Sequence, residues 1–140
     1  MDLKNKWICK ELEEVSLGDK RLNKRIIELA SNISKGPGLP LNQVSDDWSA
    51  VKASYRLFDN NKITPDKILE PHIDKTVKRA QEYPYIFIIQ DTSVVDFSTH
   101  QKTKGVGSVG GQTKVKHRTQ GIIMHTSLAL SPNGVPLGLK

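Results

Sequence analysis

A short apolar run in the middle of the chain, residues 85–89, sets the strongest limit on the fold. It reads YIFII, so all five residues are aromatic or β-branched. Such a run is too short for a helix and is typical of a strand buried on both faces, here preceded by Pro84. A carboxylate, Asp91, follows where the run gives out. This aspartate either starts a turn or is a metal-binding or acid/base group held on a rigid strand.

Length and composition narrow the class of protein. With 140 residues, the chain has room for one domain, or for one small domain and part of another. Its 21 Lys and Arg against 15 Asp and Glu give a net charge of +6, which favours polyanionic partners, above all nucleic acid. A single cysteine, Cys9, excludes an intramolecular disulfide, and no apolar run is long enough to span a membrane. We therefore expect a cytoplasmic protein without a membrane partner.

Residues 1–82 have the pattern of an all-helical domain of four or five helices. Asp19 can cap a helix whose apolar residues share one face: Leu22, Ile26, Leu29, Ala30 and Ile33. A later helix carries aromatic and aliphatic residues in a three-four repeat: Trp48, Val51, Tyr55 and Phe58. That spacing predicts that these aromatic residues are core rather than base-stacking residues. Thr64-Pro65 begins a last helix that runs to about Gln81, with a kink or restart at Pro71.

The helix after Asp19 also carries basic residues, Lys20, Arg21 and Lys24, with Arg25 on the flank. Cations in the first turns of a helix oppose its dipole, so their presence there suggests an external anion. A solvated surface, with Lys24 and Glu28 as an i,i+4 ion pair, is the alternative.

Residues 83–140 change to strand and loop. From residue 98 to 121 there are five glycines and no acid, and the five basic residues are Lys102, Lys104, Lys114, Lys116 and Arg118. This composition indicates a positive loop suited to a phosphate backbone. Residues 121–131 and 135–139 then flank Ser131-Pro132-Asn133-Gly134, which predicts a type I hairpin turn. The expected fold is α+β: helices, then a strand, a basic glycine-rich loop and an antiparallel hairpin.

Three motifs carry a resemblance to a known family: LGDKRL at 17–22, SYRLFDN at 54–60 and QDTS at 90–93. In this order they resemble landmarks of bacterial cut-and-paste insertion-sequence transposases. The resemblance implies a helical DNA-binding domain followed by a ribonuclease H-like core with an Asp-Asp-Glu triad and Mg²⁺ or Mn²⁺. Asp91 then corresponds to the first catalytic, metal-binding aspartate, which in the family stands at the end of the first strand of the core. The helix after Gly18 corresponds to the family's end-binding helix, and Lys35 and Arg56 match further DNA-contacting positions.

The resemblance stops short of a complete catalytic site. The family's second Asp follows a later strand and its Glu lies far downstream, whereas here no acid follows Asp96 and the sequence ends at Lys140. It resembles a truncated transposase: a DNA-binding domain, 1–82, and the start of a ribonuclease H-like domain, 83–140. Cleavage by two Mg²⁺ ions needs several converging carboxylates. Asp96, five residues beyond Asp91, should face the other side of the strand. Asp91 alone would hold Mg²⁺ weakly or not at all.

These observations leave three functions open. The first is a fragment of a transposase that binds double-stranded transposon-end DNA and is catalytically silent alone, as a dimer or in association with an intact transposase. The second is a metal-dependent nuclease completed by a partner chain. The third is a helical protein-interaction module without a DNA role, whose basic surface is merely solvated.

Overall fold

The computed structural model describes residues 6–100, 102–109 and 119–139. Within these ranges, five helices precede four strands, and their order confirms the predicted α+β class with antiparallel pairing. The elements are α1 (Lys6–Glu11), α2 (Lys20–Lys35), α3 (Leu41–Val44), α4 (Trp48–Phe58), α5 (Pro65–Ala80), β1 (Phe87–Asp96), β2 (Gly107–Ser108), β3 (Gln120–Leu130) and β4 (Pro136–Leu139). The chain divides into two compact units, Met1–Arg79 and Ala80–Lys140.

The helical unit is built around one apolar cluster. Helices α2 and α4 contribute to it, and so does the segment that links α1 to α2. Its buried members are Val15, Leu17, Ile26, Leu29 and Leu57, with Leu22, Ile27, Leu41, Ile63 and Ile68 packed against them. The predicted apolar face of α2 therefore does meet the core, through Ile26 and Leu29. Burying aliphatic side chains of this size contributes about 1.5–3 kcal/mol each before the entropy cost is counted.

Short polar side chains begin the helices of this unit. Asp19 Oδ1 accepts a hydrogen bond from the backbone N–H of Arg21 at 2.7 Å, as the sequence predicted for α2. Asp47 caps α4 in the same way, accepting from Ala50 at 2.7 Å. Each cap satisfies a backbone donor that has no partner inside the helix. The last helix begins at Pro65, and it continues through Pro71 without a restart.

The aromatic residues of α4 do not lie in the core, so that sequence-based prediction was wrong. Trp48, Tyr55 and Phe58 are 64%, 61% and 53% exposed. The buried residues of α4 are Val51, Ser54 and Leu57. A three-four repeat shows that residues share a helix face, but it does not show which face meets the core. Because Leu57 packs into the cluster, the aromatic face is turned roughly a quarter turn away from it.

β3 is the central strand of the sheet. It pairs with β1 in antiparallel register, from Phe87 opposite Leu130 to Asp96 opposite Gly121. Its other edge pairs with β2 near one end and with β4 near the other. The predicted turn joins β3 to β4: the N–H of Gly134 donates to the carbonyl oxygen of Ser131 at 2.9 Å, and Gly134 has a φ of 77°.

Two expectations for the first strand were wrong. β1 runs through Asp91 to Asp96, so Asp91 lies in mid-strand and not where the strand ends. The apolar run is also not buried on both faces, since Phe87, Ile88 and Ile89 are 52%, 51% and 51% exposed. Apolar composition shows only that a strand can be buried, and burial requires a second layer packed on the sheet. The described part of this unit is a single sheet.

Within the described ranges, no helix is both long and apolar enough to cross a membrane.

Candidate nucleic-acid interface

The basic residues of α2 lie on the exposed side and one flank of the helix, away from its buried residues. Lys20, Arg21, Lys24, Arg25 and Lys35 are all exposed, whereas Ile26 and Leu29 are buried. The 3.6-residue period explains this separation for Lys20 and Lys24, which fall between a third and half of a turn away from positions 26 and 29, whereas Arg21 and Arg25 lie on the flank of the helix. The first turn of α2 contains no acidic residue. Four cations and the positive end of the helix dipole therefore share one surface.

Few carboxylates neutralise this surface. Lys24 Nζ lies 3.6 Å from Glu28 Oε1, the i,i+4 pair expected from the sequence, with both side chains mostly exposed. An exposed pair of this kind is worth only about 0.3–0.5 kcal/mol. Among the residues that the structure describes, no carboxylate lies within ion-pair distance of Arg21 or Arg25. The Lys24–Glu28 pair of the alternative interpretation is thus present, and Arg21 and Arg25 lie outside it.

A groove of about 780 Å³ runs between α2 and the start of α4. On the α2 side it is lined by Lys24, Arg25, Glu28 and Lys35, among others, and on the other side by Asp46, Asp47, Ser49 and Ala50. Lys35 Nζ lies 4.0 Å from Asp46 Oδ1 and donates a hydrogen bond to Asn32 Oδ1 at 2.8 Å. Because both signs of charge line the groove, the groove is less suited to a polyanion than the open face of α2.

The other predicted DNA contacts lie elsewhere. Arg56 is exposed near the end of α4, and it does not line the groove. Lys102 and Lys104 are exposed in the segment before β2, which belongs to the second unit. Lys114, Lys116 and Arg118 lie outside the described residues. Of the predicted DNA contacts, the structure therefore groups only those of α2 on one surface, among the residues that it describes.

Asp91, the candidate catalytic and metal-binding residue, is exposed on one face of the sheet. It lies opposite Thr126 of β3, and its Oδ2 accepts a hydrogen bond from Ser93 Oγ at 3.2 Å. Paired residues on neighbouring strands point to the same face, so the side-chain neighbours of Asp91 on its face are Thr126, Ser93, Ile89, Met124 and Leu128. None of these is a carboxylate.

Asp96 has a different environment. The separation of five residues in β1 directs it to the face opposite Asp91. Its Oδ1 accepts from the N–H of Ser98 at 2.7 Å, and hydrogen bonds from the hydroxyl and the N–H of Ser98 lower the pKa of Asp96. No three His, Cys, Asp or Glu side chains among the described residues are close enough together to hold a metal ion. These residues alone therefore do not fit a two-metal site.

Sequence reasoning missed the exposed aromatic side chains of α4 as functional candidates. Lys52 Nζ lies 5.8 Å from the centroid of the Trp48 ring, so a cation and an aromatic ring share this surface. Two signals pointed there: Lys52 stands four residues after Trp48, and Arg56 follows Tyr55 directly. A second line of small or aliphatic residues, Val51, Ser54 and Leu57, was available to form the buried face instead.

A comparison with known protein families matches residues 4–63 to a family model. The match spans α1 to α4, and it includes the capped start of α2, all of its basic residues, and Arg56. The matching family model is described as transposase DNA-binding. Residues 4–63 are therefore similar to the DNA-binding domain of transposases, which supports a transposase-related DNA-binding role.

Proposed function

We propose that this chain recognises transposon-end DNA and that the basic face of α2 makes the principal contact with the duplex. The observation that carries the proposal is the clustering of Lys20, Arg21, Lys24 and Arg25 on the exposed side of a helix in the matched domain. Each cation that neutralises a phosphate releases condensed counterions, which makes the binding favourable at low salt. Arginine is suited to this role because its planar guanidinium can donate two hydrogen bonds to one phosphate or to a guanine edge.

The start of α2 adds to this contact. The backbone N–H groups of a first helical turn and the helix dipole both favour an anion. One of these groups, that of Arg21, already donates to the Asp19 cap, which fixes where the helix begins. A rigid start of the helix holds the cations that follow it at fixed spacing. Breaking the exposed ion pair between Lys24 and Glu28 costs little free energy, so Lys24 is able to bind a phosphate instead.

Further basic residues would add phosphate contacts, in each unit by itself. Lys35 and Arg56 lie in the helical unit, and Lys102 and Lys104 lie in the sheet unit. All four are exposed. We assign them to the phosphate backbone, where contacts set register and affinity rather than sequence preference. Lys114, Lys116 and Arg118 remain predicted contacts of the same kind.

Asp91 corresponds, by resemblance, to the first catalytic aspartate of a transposase. In this proposal the chain alone binds DNA and does not cut it, because a single carboxylate cannot clamp two metal ions. The neighbours of Asp91 on its face of the sheet support this, since none of them is acidic. The chain would then affect transposition by occupying the DNA ends, or by associating with an intact transposase that binds the same ends.

The test is a salt series of binding to duplex DNA, measured by fluorescence anisotropy with a labelled duplex of randomised central sequence. If about four to six phosphates are neutralised, log K should fall with log salt at a slope of roughly −4 to −5. Repeated selection from the randomised pool should then enrich one sequence. A flat salt response contradicts DNA binding, and a steep response without enrichment contradicts the recognition of a specific end.

A further inference from the structure

A second surface of the DNA-binding domain combines aromatic rings with cations. Trp48, Lys52, Tyr55 and Arg56 follow one another along α4 at spacings of four, three and one, and we call them the α4 stripe. In a helix this spacing places the four side chains within roughly a third of a turn. All four are exposed, and the two aromatic residues expose 64% and 61% of their surface.

The α4 stripe is separate from the groove beside α2. The groove is lined on α4 by Ser49, Ala50, Ala53 and Ser54, and by no member of the stripe. The side of α4 that packs into the apolar cluster is marked by Leu57, which is only 1% exposed. The stripe therefore lies outside both the core contact and the groove, and it is available to a partner.

The charges on the stripe favour an anionic partner. Lys52 Nζ stands over the Trp48 ring, 5.8 Å from its centroid, and Arg56 adjoins Tyr55. Two aspartates flank the stripe at the ends of the helix. The Asp47 carboxylate is occupied as the N-cap of α4, and Asp59 stands at its C-terminal end. Between these two residues α4 contains no acidic residue.

The two exposed aromatic rings of the stripe favour single-stranded over double-stranded DNA. In a duplex the flat faces of the bases are stacked on one another, so a side chain meets only base edges, sugars and phosphates. Aromatic rings interleaved with cations are instead suited to unpaired nucleotides, whose base faces are free to stack. Trp48 and Tyr55 stand two helical turns apart, about 10 Å along the axis, so each ring would take its own base.

We propose that the α4 stripe binds unpaired nucleotides of DNA, with Trp48 and Tyr55 stacking on bases and Lys52 and Arg56 holding the adjacent phosphates. This inference rests on the proposed function for its partner class, and it adds a preference for DNA that is locally single-stranded. Duplex contact through α2 and base stacking through the two aromatic rings of α4 are then separable, whereas Arg56 can contact a phosphate in either form of DNA.

The test uses Trp48 as its own reporter. The sequence contains only two tryptophans, so Trp7→Phe leaves Trp48 as the sole source of indole fluorescence. The probes are one fully paired duplex and the same duplex with a short unpaired gap. We expect the gapped probe to quench Trp48 emission strongly and the paired duplex to quench it little, because stacking requires a free base face.

Binding measurements on variants provide the second arm. Trp48→Ala with Tyr55→Ala should weaken binding to the gapped probe at least about fivefold per ring, the lower end for base stacking, and leave binding to the paired duplex unchanged. Trp48→Phe should retain most of the gap preference. Trp7→Ala, which removes an exposed aromatic residue of α1, is the matched control and should have no effect.

The outcomes separate the two proposals. If the wild-type chain binds the paired duplex but shows no gap preference and no quenching of Trp48, the stripe proposal is overturned and the α2 proposal stands. If neither probe binds, the α2 proposal fails as well. If the stripe variants instead dissociate a dimer in sedimentation and leave gap binding intact, a second copy of the chain covers the stripe and the proposal is overturned.

Discussion

Glu11, the last residue of α1, accepts two hydrogen bonds from the guanidinium of Arg79 in α5. The distances are 3.0 Å from Nη1 to Oε2 and 2.8 Å from Nη2 to Oε1. His72 Nδ1 lies 2.6 Å from the same Oε1. Because α5 begins beyond the residues matched to the DNA-binding family, this contact ties an additional helix to the first helix of the matched segment. Helices α2 and α4, to which the proposals assign DNA contacts, stand between these two elements in sequence.

Removing the Glu11 carboxylate should weaken the helical unit in a pH-dependent way. Hydrogen bonds from Arg79 hold the pKa of Glu11 below its ordinary value of 4.5. Since the folded pKa lies below the unfolded one, the contact stabilises the protein above about pH 4.5, and this contribution is lost as pH falls through the folded pKa. Glu11→Gln should therefore cost about 1–3 kcal/mol at neutral pH in thermal unfolding.

The two proteins should converge in stability toward acid, where wild-type Glu11 is itself protonated. The matched control is Glu14→Gln, which removes an exposed carboxylate three residues later and should change stability little at any pH. A constant difference between Glu11→Gln and wild type across the acid range would contradict the assigned role of the charge.

The α2 surface should carry most of the duplex affinity. Arg21→Ala with Arg25→Ala removes two exposed cations and should lower the affinity at least about tenfold, with the salt slope reduced by about two. Helical content in circular dichroism should be unchanged, since neither side chain is buried. Lys62→Ala with Lys78→Ala lowers the net charge equally on exposed residues that do not belong to α2, and it should cost much less. Equal losses in both variants would mean that net charge alone attracts DNA.

Neighbouring residues of α4 should differ sharply in their effect on stability. Leu57 is 1% exposed and belongs to the apolar cluster, so Leu57→Ala should cost about 2–5 kcal/mol. Phe58 is 53% exposed, so Phe58→Ala should cost much less, of the order of 0.5 kcal/mol for a surface position. Denaturant titration of the two variants measures both. A large loss in Phe58→Ala with a small one in Leu57→Ala would reverse the assigned faces of the helix.

Asp91 should be dispensable for DNA binding, and the chain alone should not cut DNA. We expect transposon-end duplex to stay intact with Mg²⁺ or Mn²⁺, because the nearest neighbours of Asp91 on its face are not acidic. Asp91→Ala should bind DNA as well as wild type, or slightly better, because a negative charge is removed. The chain should also compete with an intact transposase for its ends. Specific metal-dependent nicking that disappears in Asp91→Ala would show that a second chain or another residue completes the site.

Gly121 should be required for the pairing of β1 with β3. A Cβ at this position would collide with the carbonyl oxygen of Val95 and lie 3.0 Å from Val109 Cγ2. Gly121→Ala should therefore displace one strand and cost about 1–3 kcal/mol, seen as faster hydrogen exchange in β1 and β3. Gly107→Ala in β2 is the control, because a Cβ there meets no described atom within 4 Å. Similar exchange in both variants would show that the close approach is easily relieved.

Local chemistry alone determined where several elements begin and turn. Asp19 and Thr64-Pro65 marked the starts of α2 and α5, and Ser131 to Gly134 marked the turn between β3 and β4. These signals act within three or four residues, through a cap, a fixed φ or a tight turn, so the sequence carries them in full. The basic face of α2 was predictable for the same reason, because charges and apolar residues separate by the helical period.

Tertiary structure decided which surfaces are covered. The repeat of Trp48, Tyr55 and Phe58 fitted a core face as well as an exposed one, and the packing of Leu57 into the cluster turned it outward. The apolar residues of β1 likewise fitted a buried strand, but they lie in an exposed sheet whose register with β3 is set by residues twenty-five or more positions away. Periodicity reports which residues share a face, whereas burial depends on the element that packs against it, and that contact is non-local.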